Sequence, residues 1–421
     1  ASAFGDGATA TGKYSIAIGD AKASGNYSTA IGRRAEASGK YSTAIGEYAA
    51  AAGNGSIAMG RRSSANGNYS TAVGTTATAY SAYASAFGAG ANAMGKAATA
   101  VGLSAYAGGY AAMALGADSA ALGADSIAEG VHAYTGPDAA SSMALGTGAF
   151  ATGAQSIAMG YQAGAAGYSS VGIGTNANAQ GDSGIAIGNT ALAGTYATAV
   201  GPFAAATGYS SVALGDTANA LSDNSIAIGK NAYVGATYQG APTQGIAIGY
   251  NAQATAKDSI VIGNGAHTAG AGKYATVIGN QAYAGRRSVA IGNYANAVGK
   301  YGTAVGNSAT AISSFATAFG SRANAGAVSA TALGSNAQAT GGFSTAVGYF
   351  SRASGNGSLA FGNGTDASGY AATAIGQGAT AAGVHSLAQG YLANVGADGY
   401  NATAIGTLSS AGAYDSTAVG F

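Results

Sequence analysis

The side chains with which this 421-residue chain would have to do chemistry are few, and they are spread out. Its three histidines, His132, His267 and His385, stand well over a hundred residues apart, so a histidine metal cluster is not expected. Fifteen carboxylates are scattered along the length, and there is no cysteine, which removes disulfides, zinc fingers and thiol nucleophiles together. "GDGAT" at 5–9 and "GNGTD" at 362–366 are single, imperfect echoes of a calcium-binding nonapeptide repeat. The many G-x-G patterns lack the strand–helix setting of a nucleotide site. The expectation is a non-enzyme without cofactor, metal site or catalytic residues.

Binding groups are easier to find. Arg33-Arg34 and Arg61-Arg62 stand 28 residues apart, and Arg286-Arg287 form a third pair. Residues 1–96 hold eight Lys/Arg against four acids, 97–229 none against seven, and 230–421 eight against four. Such pairs are either solvated surface charge or a patch for an acidic glycan or partner. With a net charge of only +1 and an acidic centre, nucleic acid is not expected as a partner. The stretch "KNAYVGATYQGAPTQG" at 230–245, with Tyr233 and Tyr238, is the best outward bulge for a ligand, followed by "VHAYTGPDAASS" at 131–142.

What positions these groups is a repeat. A glycine that follows an apolar pair recurs at Gly5, Gly19, Gly32, Gly46, Gly60 and onward to Gly420, mostly at intervals of 14. Intervals of 16 end at Gly146, Gly279 and Gly406, and the longest, of 20, runs from Gly229 to Gly249. The pattern fills residues 1–421 without a break, which predicts a single continuous array of about 30 coils. Two glycines per unit would cost a helix about 2 kcal/mol. Each unit instead alternates with period two, in "SIAIG" (15–19) and again in "RAEAS" (34–38). Two short strands and two glycine turns in about 14 residues make one coil of a parallel β-solenoid, an all-β fold. Glycine at both turns is expected to supply a positive φ.

The alternation also assigns faces. Two residues before each marker glycine stands almost always alanine (Ala17, Ala30, Ala44, Ala58), with Gly172, Val261 and Val277 as departures. That choice predicts a cramped interior, closed by alanines such as Ala35 and Ala37. The flanking residues Ile16, Ile18, Ile31, Ile45, Ile57, Met59, Ile226, Ile228 and Ile291 must then form an outward apolar ladder. So long a stripe calls for a partner, and further copies of the chain are the simplest one. Glu129 and Gln389 alone interrupt the ladder with strongly polar groups. Around a shared axis they would form polar layers that fix register or hold water or an ion. Tyr14, Tyr27, Tyr41, Tyr69, Tyr274, Tyr301, Phe315 and Phe343 fall at one phase of the unit and predict an aromatic ladder along one turn.

The units "NSIAIGKNA" (224–232), "RRSVAIGNYANAVG" (286–299) and "YSIAIGDAKASG" (14–25) resemble the YadA-like head repeat of the trimeric autotransporter adhesins of Gram-negative bacteria. The resemblance covers essentially the whole chain. It implies a left-handed parallel β-roll, assembled as a homotrimer and displayed on the outer membrane. It also implies attachment to host matrix (collagen, fibronectin or laminin) or to a host cell-surface receptor, and autoaggregation. The family's neck, coiled-coil stalk and membrane anchor are not recognised, and no direct membrane insertion by this segment is expected. In the family, collagen binding is associated with an N-S-V-A-I-G motif, matched here by Asn224-Ser225-Ile226-Ala227-Ile228-Gly229. Two other readings compete. One is a structural spacer or fibre without its own ligand. The other is an ice-binding solenoid using Thr29, Thr43, Thr71, Thr303, Thr317, Thr331 and Thr345, a row that Ile57, Met113, Ile157 and Leu359 interrupt.

Overall fold

Residues 39–52 show how one coil is made. Gly39-Lys40-Tyr41-Ser42 is a turn in which the Ser42 N–H donates to the Gly39 carbonyl at 3.2 Å. The long strand Thr43–Ile45 follows. A second turn, Gly46-Glu47-Tyr48-Ala49, closes with the Ala49 N–H on the Gly46 carbonyl, again at 3.2 Å. The short strand Ala50–Ala51 completes the circuit. The computed structural model describes residues 1–235, 244–269 and 273–421, which fall into two compact units, 1–210 and 211–421.

Within the first unit the long strands stack in parallel, one coil on the next, with Thr43 on Ile57, Ala44 on Ala58 and Ile45 on Met59. The short strands stack as a second sheet, Ala50 on Ser64 and Ala51 on Ala65. The second unit repeats the plan, with Thr345–Val347 on Leu359–Phe361 and Arg352–Ala353 on Asp366–Ala367. The chain is therefore an all-β parallel solenoid of roughly 14-residue coils, as its period predicts.

The interior is the alanine core expected from the alternation. Ala17, Ala30, Ala35, Ala37, Ala44 and Ala58 are all sealed from solvent. The exceptions obey the same logic. Val261 and Val277 are also buried, and a Cβ on Gly172 would lie 2.2 Å from the Gly164 carbonyl oxygen. Serine at the first turn suits its place too: the buried Ser42 hydroxyl donates to the Gly39 carbonyl at 2.7 Å.

The turns correct one expectation. The marker glycines do hold positive φ, as at Gly46 (+127°), but Gly39 and Gly53 do not. Those glycines are required because stacked coils touch there: a Cβ on Gly39 would sit 2.0 Å from the Gly53 carbonyl oxygen. Left-handed angles are instead carried by side-chain-bearing residues, among them Tyr41 (φ 61°) and Tyr48 (φ 58°). This conformation costs a non-glycine residue about 1–2 kcal/mol. It persists because it aims the N–H at the preceding coil, Tyr41 at Asn26 and Tyr48 at Arg33, both at 2.9 Å. Each such hydrogen bond returns about 0.5–1.5 kcal/mol, a comparable amount.

Lengthened coils carry a larger interior residue. Where alanine ordinarily ends the short strand, the 16- and 20-residue coils place Thr135, Val234, Thr268 and Val395. The Thr135 hydroxyl accepts the Leu122 N–H at 3.2 Å and bonds Ser126 at 2.8 Å. The Val395 side chain packs so closely under the inserted turn that a Cβ on Gly399 would fall 2.5 Å from its methyl carbon.

Candidate binding surfaces

The long strands turn their outer side chains away from the alanine core, so the predicted ladder is a stripe on the surface of the single chain. Ile16 and Ile18 are each 40% exposed, Met59 equally so and Ile291 36%. Ile57 also lies open, while Ile31, Ile45, Ile226 and Ile228 are half-buried by their neighbours along the stripe. Glu129 stands in register between Leu115 and Leu145, and Gln389 between Ile375 and Ile405. Both are exposed, on the same line as the apolar side chains. The threonine row shares this face and is broken where Thr43 and Thr71 flank Ile57.

Repeated left-handed turns line up side chains that the linear sequence keeps 14 residues apart. Arg34, Tyr48 and Arg62 occupy the same turn position in successive coils. The Arg34 and Arg62 guanidinium carbons lie 5.5 and 5.9 Å from the Tyr48 ring centre, and Arg34 donates to the Tyr48 hydroxyl at 2.9 Å. Arg33 pairs with Glu47, a contact that holds the guanidinium pKa above its ordinary value, chiefly through the hydrogen bond and then through the charge. Arg61 is exposed beside Arg62. The two N-terminal arginine pairs thus meet at the Tyr48 ring.

Arg286-Arg287 falls on the other turn. Arg287 lies between Tyr274 and Tyr301, 5.5 and 5.6 Å from their ring centres, and donates to the Tyr301 hydroxyl at 2.6 Å. That hydrogen bond, with the charges of Arg287, Lys300 and Arg286, draws the Tyr301 pKa below the usual phenol value. Here the predicted aromatic ladder resolves into runs. Tyr14, Tyr27 and Tyr41 stack at 5.0 and 5.1 Å, and Tyr301 stacks on Phe315 at 5.1 Å, while Tyr274 meets Arg287. The signal for these columns was in the sequence as a fixed offset from the marker glycine. The left-handed backbone that makes them face each other was not.

Beside the second turn runs a shallow furrow. In the first unit it is lined by Thr9, Asp20, Lys22, Arg34 and Glu36, with Lys22 and Glu36 paired at 3.3 Å. Tyr233 lies on a short strand in the second unit, half-buried. Tyr238 lies outside the described residues. Among the described residues no three His, Asp or Glu side chains gather to hold a metal, and no helix is long and apolar enough to cross a membrane.

Stacked strand pairs, an alanine interior and an outward apolar stripe define a solenoid repeat. The model of one such family, the YadA head domain repeat (2 copies), matches residues 1–35, 37–63, 65–91, 107–133, 138–163, 165–191, 193–232, 243–266, 271–365, 367–393 and 397–421. The chain belongs to this family. No curated protein matches it along its sequence.

Proposed function

We propose that this chain is the head of a trimeric, surface-displayed bacterial adhesin that binds host matrix or a host receptor and contributes to autoaggregation. In this reading three left-handed rolls bury their apolar stripes against one another, the assembly stands on the outer membrane, and the work is binding without catalysis. The observation that carries it is the line of exposed Ile, Met, Val and Phe side chains, aligned coil after coil on one face within each unit of a YadA head repeat array. An apolar patch of that extent is characteristic of an interface. Membership of the YadA head repeat family supports the trimeric arrangement and the adhesive role. Modest affinity per site would be multiplied by avidity across identical chains.

The test has two parts. Sedimentation of the purified chain is expected to give the mass of three copies. Immobilised collagen, fibronectin, laminin and host cells are then offered to it, and retention on at least one is expected. A monomer, or a trimer that binds none of them, would overturn the adhesin reading and favour a fibre or spacer.

A further inference from the structure

The furrow beside the second turn changes character along the chain. Where Asp20, Lys22, Arg34 and Glu36 line it in the first unit, its counterpart in the second unit has no permanently charged side chain. One stretch, about 320 Å³, runs past Asn219, Asn231, Tyr233 and Gln253. A second, about 430 Å³, continues from Gln253 past Asn251 to His267. Asp216 and Lys230, the charges nearest in the coil order, neutralise each other at 3.1 Å.

We propose that this furrow is a binding track for a neutral oligosaccharide, an inference that rests on the adhesin reading and gives its ligand class. A carboxamide offers both a donor and an acceptor, which is what the paired hydroxyls of a sugar require. These carboxamides are also oriented in advance. The Asn231 amide nitrogen donates to the Asn251 side-chain oxygen at 3.0 Å, leaving the Asn231 oxygen and the Asn251 nitrogen outside that bond. Asn219 is fixed by donating to the Thr217 carbonyl at 2.8 Å.

The aromatic element is equally placed. The Tyr233 ring lies over a residue without a side chain: a Cβ on Gly235 would come within 2.6 Å of the Tyr233 hydroxyl. Tyr233, Gln253 and His267 follow in register on successive short strands. His267 donates its Nδ1 proton to the Gly265 carbonyl oxygen at 3.1 Å, which leaves Nε2 outside that bond. The Tyr233 ring for the C–H side of a sugar, the Gln253 carboxamide and the His267 ring thus follow one another at the strand spacing of about 4.8 Å. That is close to the length of one pyranose in an extended chain. The lining disfavours phosphorylated or sulfated ligands because it lacks a cation. It disfavours an extended peptide because the short strands on either side already pair with each other, which leaves no free strand edge.

The experiment uses the whole purified chain on an array of neutral and anionic oligosaccharides and extended peptides, followed by titration of the retained compounds. A neutral oligosaccharide is expected to bind, with affinity unchanged between about 0.1 and 1 M salt, where exposed charges are screened. Gln253→Ala and Tyr233→Ala are each expected to weaken it about tenfold, equivalent to about 1.4 kcal/mol. Lys22→Ala, in the charged furrow, is expected to leave it unchanged. Should Gln253→Ala disturb folding, judged by circular dichroism, Gln253→Glu keeps the size and is expected to weaken binding likewise. The proposal is overturned by no retention of neutral sugars, by a salt-sensitive anionic ligand, by peptide binding alone, or by undiminished binding in the Gln253 variants. Adhesion to cells is measured on the same samples. Adhesion without sugar binding removes the furrow and leaves the adhesin; sugar binding without adhesion does the reverse.

Discussion

Ala97 holds φ at +57° with only a methyl group, which can make no hydrogen bond or ring contact there. Tyr48 in the same backbone state gains an arginine on either side. The contrast separates the cost of the left-handed turn from its use. Replacing Ala97 with glycine removes the Cβ clash, worth about 1–2 kcal/mol, against a loss of about 0.4–1 kcal/mol through the freer unfolded chain. A small net gain, seen as a higher urea midpoint, is expected. Gly53→Ala is the opposite case, because its Cβ would meet the Gly67 carbonyl oxygen at 1.9 Å. That backbone cannot move without breaking the stack, so a loss of several kcal/mol, about the upper range for single substitutions, is expected in the same measurement. Asp216 provides a pH test. The Thr217 hydroxyl first, and Lys230 second, hold its carboxyl below the ordinary value. Its contribution to stability is therefore present above about pH 3.9 and is lost as pH falls through the depressed native value. Carbon NMR titration is expected to show the Asp216 carboxyl moving upward in Thr217→Val and, by less, in Lys230→Met.

At the scale of the coil, most of the fold was legible because it is written as a period. The alanine two before each marker glycine gave the inside, and its neighbours gave the outside, since a strand side chain has only two faces to choose between. The second glycine was misread because sequence shows that a Cβ is excluded without showing whether torsion or contact excludes it. The lengthened coils went half-read. Two of them were marked as bulges, but the larger interior residues at Thr135, Val234, Thr268 and Val395 emerge only when each is found buried where alanine ordinarily ends the short strand. That burial makes Val395→Ala a cavity mutation, with an expected cost of about 2 kcal/mol. Ala381, its register partner, is buried in a 14-residue coil built around alanine. Ala381→Val is expected to cost about 1–3 kcal/mol by overpacking. Combining the two should not restore stability, because the room belongs to the longer coil. Denaturant midpoints of the two single variants and the double variant decide it.

For the whole molecule, the difficulty of a perfect repeat is register. An apolar stripe that reads the same in every coil lets a partner chain slide by one coil and lose only the contacts at its ends. Glu129 and Gln389 are the points where the stripe stops repeating, flanked by Leu115 and Leu145 and by Ile375 and Ile405. In the trimer proposed above, a one-coil slip would place each polar group against a partner's apolar side chain, leaving it without hydrogen bonds. A buried polar group unpaired in this way costs about 1–3 kcal/mol, paid by each chain. A single polar residue in an apolar seam fixes register in coiled coils at some expense of stability. The same trade applies to a solenoid seam. The double variant Glu129→Leu/Gln389→Leu is therefore expected to raise the thermal midpoint of the assembly while broadening its population. Cross-linking through a cysteine introduced on the stripe would read this directly, joining identical positions alone in the parent and neighbouring coils as well in the variant. A variant that stays in perfect register would assign alignment to the ends of the array and leave the two polar residues without that role.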